Sequence, residues 1–348
     1  MTLRPNRSSR LRHLIPLLAG ALLSLDACSR GMTGPSGTTD RPGTGGPLVF
    51  RASPLDESEI RFIVALGNLN PPGHTFPSDH IYFYNRVPPA PPTTPAAVYA
   101  PGDGTVQFLL ADGAETQVGV RSGSFTYYMA HIVLDPAIRV GSAVTAGQRI
   151  GTTGSSAYAI DLGVINEQKT AAFINPLRYP STSRHGDAPL PYFEEPLRSR
   201  LYRLVQRVGA DLDGRFDFDV AGRLVGNWFL EGVPVSDSAS ASAWPRHLAF
   251  VYDSYDPTRI RVSVGGTLPI VGAFAVQAGA TDPRDVTPAS GTVVYRLLSA
   301  GGAGDPPGPQ RGILAVQMID ANTIRVDALP DGTATDLVLS GTARTYVR

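Results

Sequence analysis

Glycine and proline interrupt this chain so often that little of it could run as a long helix: 37 Gly and 31 Pro fall among 348 residues, with short apolar runs between them. Glycine supplies the positive φ of tight turns, and proline cannot donate to a hydrogen-bond ladder. That punctuation predicts a mostly β protein of short antiparallel strands. Strands are expected at 59–66, 80–84, 97–99, 104–110, 117–120, 126–132, 149–152 and 159–165. Turns at Asn68 to Gly73, Gly102-Asp103-Gly104 and Asp112-Gly113 separate several of them, and the proline cluster 88–95 must be a surface loop. Gly104 and Gly147 are read as tight turns that need positive φ. One stretch departs from this pattern. Leu197, Leu201, Leu204, Val205 and Val208 keep helical spacing and predict a connecting helix over 194–208. Strands then resume at 214–220, 222–230, 246–252, 259–264, 292–298, 312–318, 323–328 and 337–348. This second region reads as an antiparallel meander, sandwich or small barrel.

The first thirty residues carry Arg4, Arg7, Arg10 and Arg12, an apolar run from Leu14 to Leu25, and a small-residue stop at Ala27-Cys28. That order is a secretion signal. Its apolar run is about 12 residues, well short of the roughly 20 that span a bilayer as a helix. Leu25-Asp26-Ala27-Cys28 resembles a bacterial lipobox, which implies a lipidated Cys28, although Asp26 stands where a small or apolar residue is usual. The other reading is ordinary secretion, with Cys28 lost or left free. Cys28 is the sole cysteine, so the mature chain has no internal disulfide. Ser29 to Pro47 is a Gly, Ser, Thr and Pro tether with little to bury. Five parts follow: a signal and lipobox over 1–28, a tether over 29–47, a β domain over 48–180, a linker and helix over 181–210, and a second β domain over 211–348. Formal net charge is zero and no long basic run occurs, which argues against a nucleic-acid partner.

The chemistry gathers between Gly73 and Asn166. The segments are Gly-His-Thr-Phe-Pro-Ser-Asp-His at 73–80, Val-Tyr-Ala-Pro-Gly-Asp-Gly-Thr-Val at 98–106, Tyr-Tyr-Met-Ala-His-Ile at 127–132 and Val-Thr-Ala-Gly-Gln-Arg-Ile-Gly at 144–151. Together they resemble the LytM or lysostaphin-type zinc peptidoglycan endopeptidases. The resemblance implies a LytM-like open antiparallel sheet, a zinc ion, and a ligand set of an early His-x-x-x-Asp with a late His-x-His. Here His74 and Asp79 are one residue too far apart, and the late segment reads Ala159-Ile160-Asp161. His74, Asp79 and Asp161 are the candidate metal ligands. His80 could replace His74, but neighbours on a regular strand point to opposite faces. The alternative for Asp79 is a turn that bonds backbone amides. His131, in the Tyr-x-His-like segment with one residue inserted, is the candidate catalytic histidine, set against a half-buried strand histidine with a carbonyl partner. Tyr128 and His80 are candidate binding residues.

Two further features are set aside. The acidic run Asp211, Asp213, Asp217 and Asp219 has Arg215 where a calcium loop wants oxygen and is read as a hairpin turn. His185-Gly186-Asp187 is read as a solvated turn. Gly222 to Phe229 resembles the glycine–tryptophan signature of lipocalin-like barrels, which implies a carrier of a small apolar ligand as a third reading.

Two functions remain. One is a degenerate envelope domain that binds peptidoglycan or a cell-wall protein, as some inactive members of the resembled family act as regulators. The other is an active zinc endopeptidase cleaving peptidoglycan cross-links. The expected location is the outer membrane, lipid-anchored and facing the periplasm, since Ser29 rather than aspartate follows the cysteine.

Overall fold

The computed structural model describes residues 46–87, 94–155, 157–301 and 305–348. The signal, the lipobox at Cys28, nearly all of the tether and most of the proline cluster lie outside the described residues. Among them, no helix is long and apolar enough to cross a membrane.

The chain is mostly β, with an open antiparallel sheet followed by a closed antiparallel barrel. The sheet has ten strands. Its main path runs Phe62–Val64, Ile81–Tyr84, Ala159–Asn166, Phe125–Leu134, Glu115–Ser122, Gly104–Asp112 and Ala143–Val144. Ala159–Asn166 is buried along its whole length, as a strand covered on both faces must be, while Gly104–Asp112 alternates toward solvent. The core under the sheet is built around Phe50, Phe83, Tyr127, Ile160 and Leu162.

Segment 181–210 joins this first core rather than lying apart from it. Leu190, Phe193, Leu197 and Leu201 are buried there. The expected helix over 194–208 is only Leu197–Tyr202, because the chain then extends so that Gln206 N–H can bond the Ile63 carbonyl. His185-Gly186-Asp187 is not a solvated turn. Gly186–Asp187 pairs with Ile165 and Val164, and Asp187 is buried, bonded by Asn166, Lys169 and Tyr192. Gly147 does turn at φ 81°. Gly104 does not: it begins a strand, where a Cβ would collide with the Arg121 carbonyl.

The barrel comprises Gly226–Leu230, His247–Tyr252, Ile260–Val264, Gly272–Val276, Thr292–Ser299, Gln310–Asp320, Thr323–Leu329 and Arg344–Val347. It closes where Phe229 and Leu230 pair with Val347 and Tyr346, which leaves it no free edge. Residues 214–220 were expected as a strand and are not one. Their carboxylates face inward to the chain instead: Asp217 and Asp219 accept the Ala172 and Ile174 amides, as the preceding Asp213 accepts the Tyr202 hydroxyl. The interior is filled by Trp228, Phe250, Tyr295, Leu314 and Tyr346, each fully buried. The Arg348 guanidinium lies 3.9 Å from the Trp228 ring centroid and donates to the carbonyls of Val220, Arg223, Leu224 and Val225.

Sheet and barrel meet through the loop that precedes Ile81–Tyr84. Phe76 stacks on His247 at 4.1 Å with 6° between the planes and meets Phe229 edge-on at 5.0 Å. Thr75 donates to the Trp244 carbonyl at 3.3 Å, and Arg178 donates to the Val233 carbonyl at 3.1 Å.

Candidate functional site

Sheet register decides which side chains meet. Tyr82 stands opposite Asp161, Tyr84 opposite Ala159, and Ala130 opposite Asp161 on the other side. Residues directly opposite share a face. Tyr82 and Tyr84 therefore form one column beside Asp161 and Ala159, and the His80 ring lies 5.0 Å from that of Tyr82.

His80 and Asp79 lie just before Ile81–Tyr84, in a bend rather than in the strand. The alternation that would have pointed them apart does not operate there. His80 Nδ1 contacts Asp79 Oδ1 at 2.9 Å, and its Nε2 stands 3.4 Å from Asp161 Oδ2. Asp79 is otherwise engaged: Tyr128 donates to Oδ1 at 2.8 Å and Ser183 donates to Oδ2. Burial opposes its charge, but the bond from His80 and the two hydroxyls outweigh that and bring its pKa down to about 2.

His131 is the one non-glycine residue with positive φ among those described, at 64°. It sits where its strand changes partner, from Ala159–Asn166 up to Ala130 to Arg149–Thr153 from Ile132 onward. A bulge in the facing strand, between Thr116 and Val118, accompanies the change. A left-handed backbone at a histidine is uncommon, and such geometry clusters at functional sites. The twist brings Nδ1 to 2.9 Å from Glu115 Oε2 and Nε2 to 3.5 Å from Asp161 Oδ2. Its partners are carboxylates, not a carbonyl. Burial disfavours the imidazolium, yet Asp161 and then Glu115 more than compensate and raise its pKa to about 9. His80 is raised against the same opposition by Asp161 and Asp79.

His74 approaches from the loop, with its ring centroid 5.3 Å from that of His80. Desolvation, followed by repulsion from His80, lowers its pKa to about 4, so it is neutral at pH 7. The structure thus brings His74, Asp79, His80, Tyr128, His131 and Asp161 into one neighbourhood. It does not arrange His74, Asp79 and Asp161 around a common point. Among the described residues no group of three or more His, Cys, Asp or Glu side chains is set to hold a metal ion.

Besides Ser183, which donates to Asp79, two participants were not singled out from sequence. Glu115 holds His131, and only the strand pairing reveals it. Tyr84 follows His80 at the spacing that the resembled family gives its His-x-x-x-Asp, on the face of Asp161. The signal was present in the expected strand 80–84, where alternation from His80 leads to Tyr84. Burial pushes the Tyr84 hydroxyl up, so it is a neutral phenol where a metal site would want a carboxylate.

His74, Tyr84, Glu115, His131 and Asp161 line a groove of about 620 Å³, together with Asn68, Asn70, Tyr158 and the turn at Asp112–Glu115, while Asp79, His80 and Tyr128 stand behind it. Arg86 fixes one wall by donating to the carbonyls of Gly154, Ser155 and Ala157.

No family model matches the chain, and no curated protein matches it. Solved structures similar to it include Helicobacter pylori Csd3, at 19% identity over 42% of this chain and 35% of that chain, with a TM-score of 0.29. A zinc-containing peptidase from Vibrio cholerae is 20% identical over 33% of this chain and 36% of that chain, with a TM-score of 0.27. The catalytic domain of the antimicrobial peptidase lysostaphin from Staphylococcus simulans is 17% identical over 39% of this chain and 93% of that domain, again at 0.27. The chain spans about a third of the length of Csd3.

Proposed function

We propose that this protein is an envelope lipoprotein whose open-sheet domain binds peptidoglycan or a cell-wall protein through the groove, without hydrolysing it. The observation that carries this reading is the shared use of one oxygen: His80 and His131 both turn Nε2 toward Asp161 Oδ2, at 3.4 and 3.5 Å. With both nitrogens of each imidazole turned to a carboxylate, neither ring has a lone pair to offer a water. Ala159 and Tyr84 occupy the adjoining positions and supply neither base nor carboxylate.

The groove is the right size for a short peptide segment, since ligand sites commonly enclose roughly 300–1,000 Å³. Co-sedimentation with purified peptidoglycan tests the reading. Wild type should pellet, and Ser155→Trp, which projects a large side chain from an exposed rim position, should stay in solution with its circular dichroism unchanged. Equal pelleting of the two would exclude the groove.

One observation favours an active zinc endopeptidase instead. The two contacts at Asp161 Oδ2 are near the edge of a tetrahedron with arms of about 2.0–2.2 Å, which is about 3.3–3.6 Å. A zinc drawing on His80, His131 and Asp161 would leave His74, neutral at pH 7, to assist its water. Elemental analysis distinguishes the readings: binding alone expects far less than one zinc per chain, whereas one equivalent lost in His80→Ala, with release of soluble wall fragments by wild type, would establish the enzyme.

Anchoring at the outer membrane rests on Cys28. Stable retention needs more than one acyl chain, so Cys28→Ser should move the protein from the membrane fraction to the soluble one.

A further inference from the structure

Arg86, Arg178, Arg261 and Arg348 are all buried, and three of them are well partnered within the chain. Arg261 pairs with Asp253 at 2.6 Å, Arg86 donates to three backbone carbonyls, and Arg348 donates to several carbonyls with Asp219 favouring its charge. Arg178, 8% exposed, is the exception. Among the described residues its guanidinium reaches one carbonyl, that of Val233 at 3.1 Å, and its Nε has no partner. It rests on the Phe229 ring, 4.8 Å from the centroid. No carboxylate of a described residue pairs with it, and the one group that favours its charge is the Tyr179 phenol, kept neutral by burial. Arginine is almost never so buried without a counter-charge, because an unpaired ion in the interior is costly.

Arg178 lines a cavity of about 80 Å³ at the seam of sheet and barrel. Its walls come from the loop 73–80, from segment 173–183, and from the barrel side at Asn227, Trp244 and His247. A water takes about 30 Å³, so the space suits a group of a few heavy atoms. Gly73, Thr182 and Ala239 on its wall are half-buried, which opens it to solvent. Asp79 is the only acid on the wall, and its oxygens are taken by His80, Tyr128 and Ser183. His74 and His247 are held neutral by burial. Arg178 is therefore the uncommitted charge of the cavity.

The chemistry of the walls selects the guest. A guanidinium meets an oxyanion through parallel N–H bonds. One positive charge balances a carboxylate, but it leaves a divalent phosphate with charge unpaired in a largely apolar space. Phe173, Phe216 and Trp244 offer an apolar stem a surface to pack on, and Thr182 adds a hydroxyl.

We propose that the seam cavity binds a small carboxylate, its oxygens on Arg178 and its short aliphatic stem among the aromatic side chains. The cavity shares only His74 with the groove, and the inference does not rest on the groove's role. Because the guest would touch three segments at once, its binding also strengthens the docking of sheet on barrel. The carboxylate is supplied either by a free acid or by the end of a peptide.

The chain has two tryptophans, and Trp228 is shut inside the barrel, so changes in indole fluorescence report on Trp244 in the cavity wall. Titrations of the purified protein at neutral pH and constant ionic strength use propionate, N-acetylalanine, N-acetylalanine amide and inorganic phosphate, with sodium chloride as the balancing salt. Propionate should change the fluorescence saturably and raise the melting midpoint. The amide should do neither, and phosphate should bind at least roughly tenfold more weakly. Tighter binding of N-acetylalanine than of propionate assigns the carboxylate to a peptide terminus, and the reverse order assigns it to a free acid. Arg178→Met keeps the length without the charge and should abolish the response. Thr182→Phe, at the half-buried wall, should abolish it as well with circular dichroism unchanged, which keeps the test decisive if Arg178→Met fails to fold. No saturable response to either acid, an equal response to the amide, or a response that survives Thr182→Phe would overturn the site. Phosphate binding as tightly as propionate would overturn its assignment to carboxylates.

Discussion

His80, in the bend before Ile81–Tyr84, and His131, within Phe125–Leu134, meet at one oxygen of Asp161, which is only 1% exposed. Each imidazole is also held at its far nitrogen, by Asp79 and by Glu115. The result is a buried row of alternating acids and bases in which Asp161 is the single link. Removing one partner from such an arrangement leaves uncompensated charge, which costs about 3–5 kcal/mol. Asp161→Asn should lose that much by urea denaturation, and NMR titration should find the His131 pKa fallen well below about 9.

The same groups set the pH dependence. His131 is raised from 6.5 to about 9 on folding, so its contribution is complete below pH 6.5 and is lost as pH rises toward 9. His74 is lowered from 6.5 to about 4, so its contribution is complete above pH 6.5 and is lost as pH falls toward 4. Stability should therefore peak near neutrality. His131→Gln should take about 3 kcal/mol from the alkaline limb, leaving the part that His80 supplies, and leave the acid limb in place. Denaturation midpoints measured from pH 4 to 9.5 on both proteins check this.

Phe76 connects the loop of the site to the barrel. Phe76→Ala removes the stack on His247 and the edge contact with Phe229. The loss should be roughly 2–4 kcal/mol, toward the low end of the range for buried phenylalanines because Phe76 is only partly buried. Hydrogen exchange should quicken at residues 74–80 before it quickens in the barrel strands.

Arg348 combines a ring contact with several carbonyls, and a planar guanidinium is needed for both. Arg348→Lys cannot reproduce the fork and should destabilise by about 2–3 kcal/mol, mainly from buried carbonyls left without donors. Thermal melts of Arg348→Lys and Arg348→Ala should be nearly alike.

The architecture was legible because glycine, proline and alternating apolar residues encode short strands locally. Gly272–Val276 escaped because small residues on either side of Phe274 hide the alternation. The helix over 194–208 was overestimated since its apolar spacing serves packing onto the sheet as well as it serves a helix. At the site, the segments holding His74, Asp79, His131 and Asp161 could be read, but their partnerships could not. Glu115 and Ser183 reach the site through strand pairing and a distant short helix, and no spacing in the chain expresses that. Asp79 is read as the partner of His74 because a metal site wants a carboxylate; the residue four positions after His80 on the strand is the phenol Tyr84, which that reading does not weigh.

The order of assembly carries a last consequence. The ring of strands can shut only when residues 344–347 reach Phe229 and Leu230, and Phe229 is one of the two rings on which Phe76 rests. A loop laid down early in synthesis thus waits on a strand made some 270 positions later (347 − 76 = 271). Until then the Phe76–Phe229 contact rests on a strand that is open along one edge, while Phe76 keeps its stack on His247. The walls of the groove come entirely from residues 68–161, so what the far end of the chain completes is the barrel surface against which their loop packs.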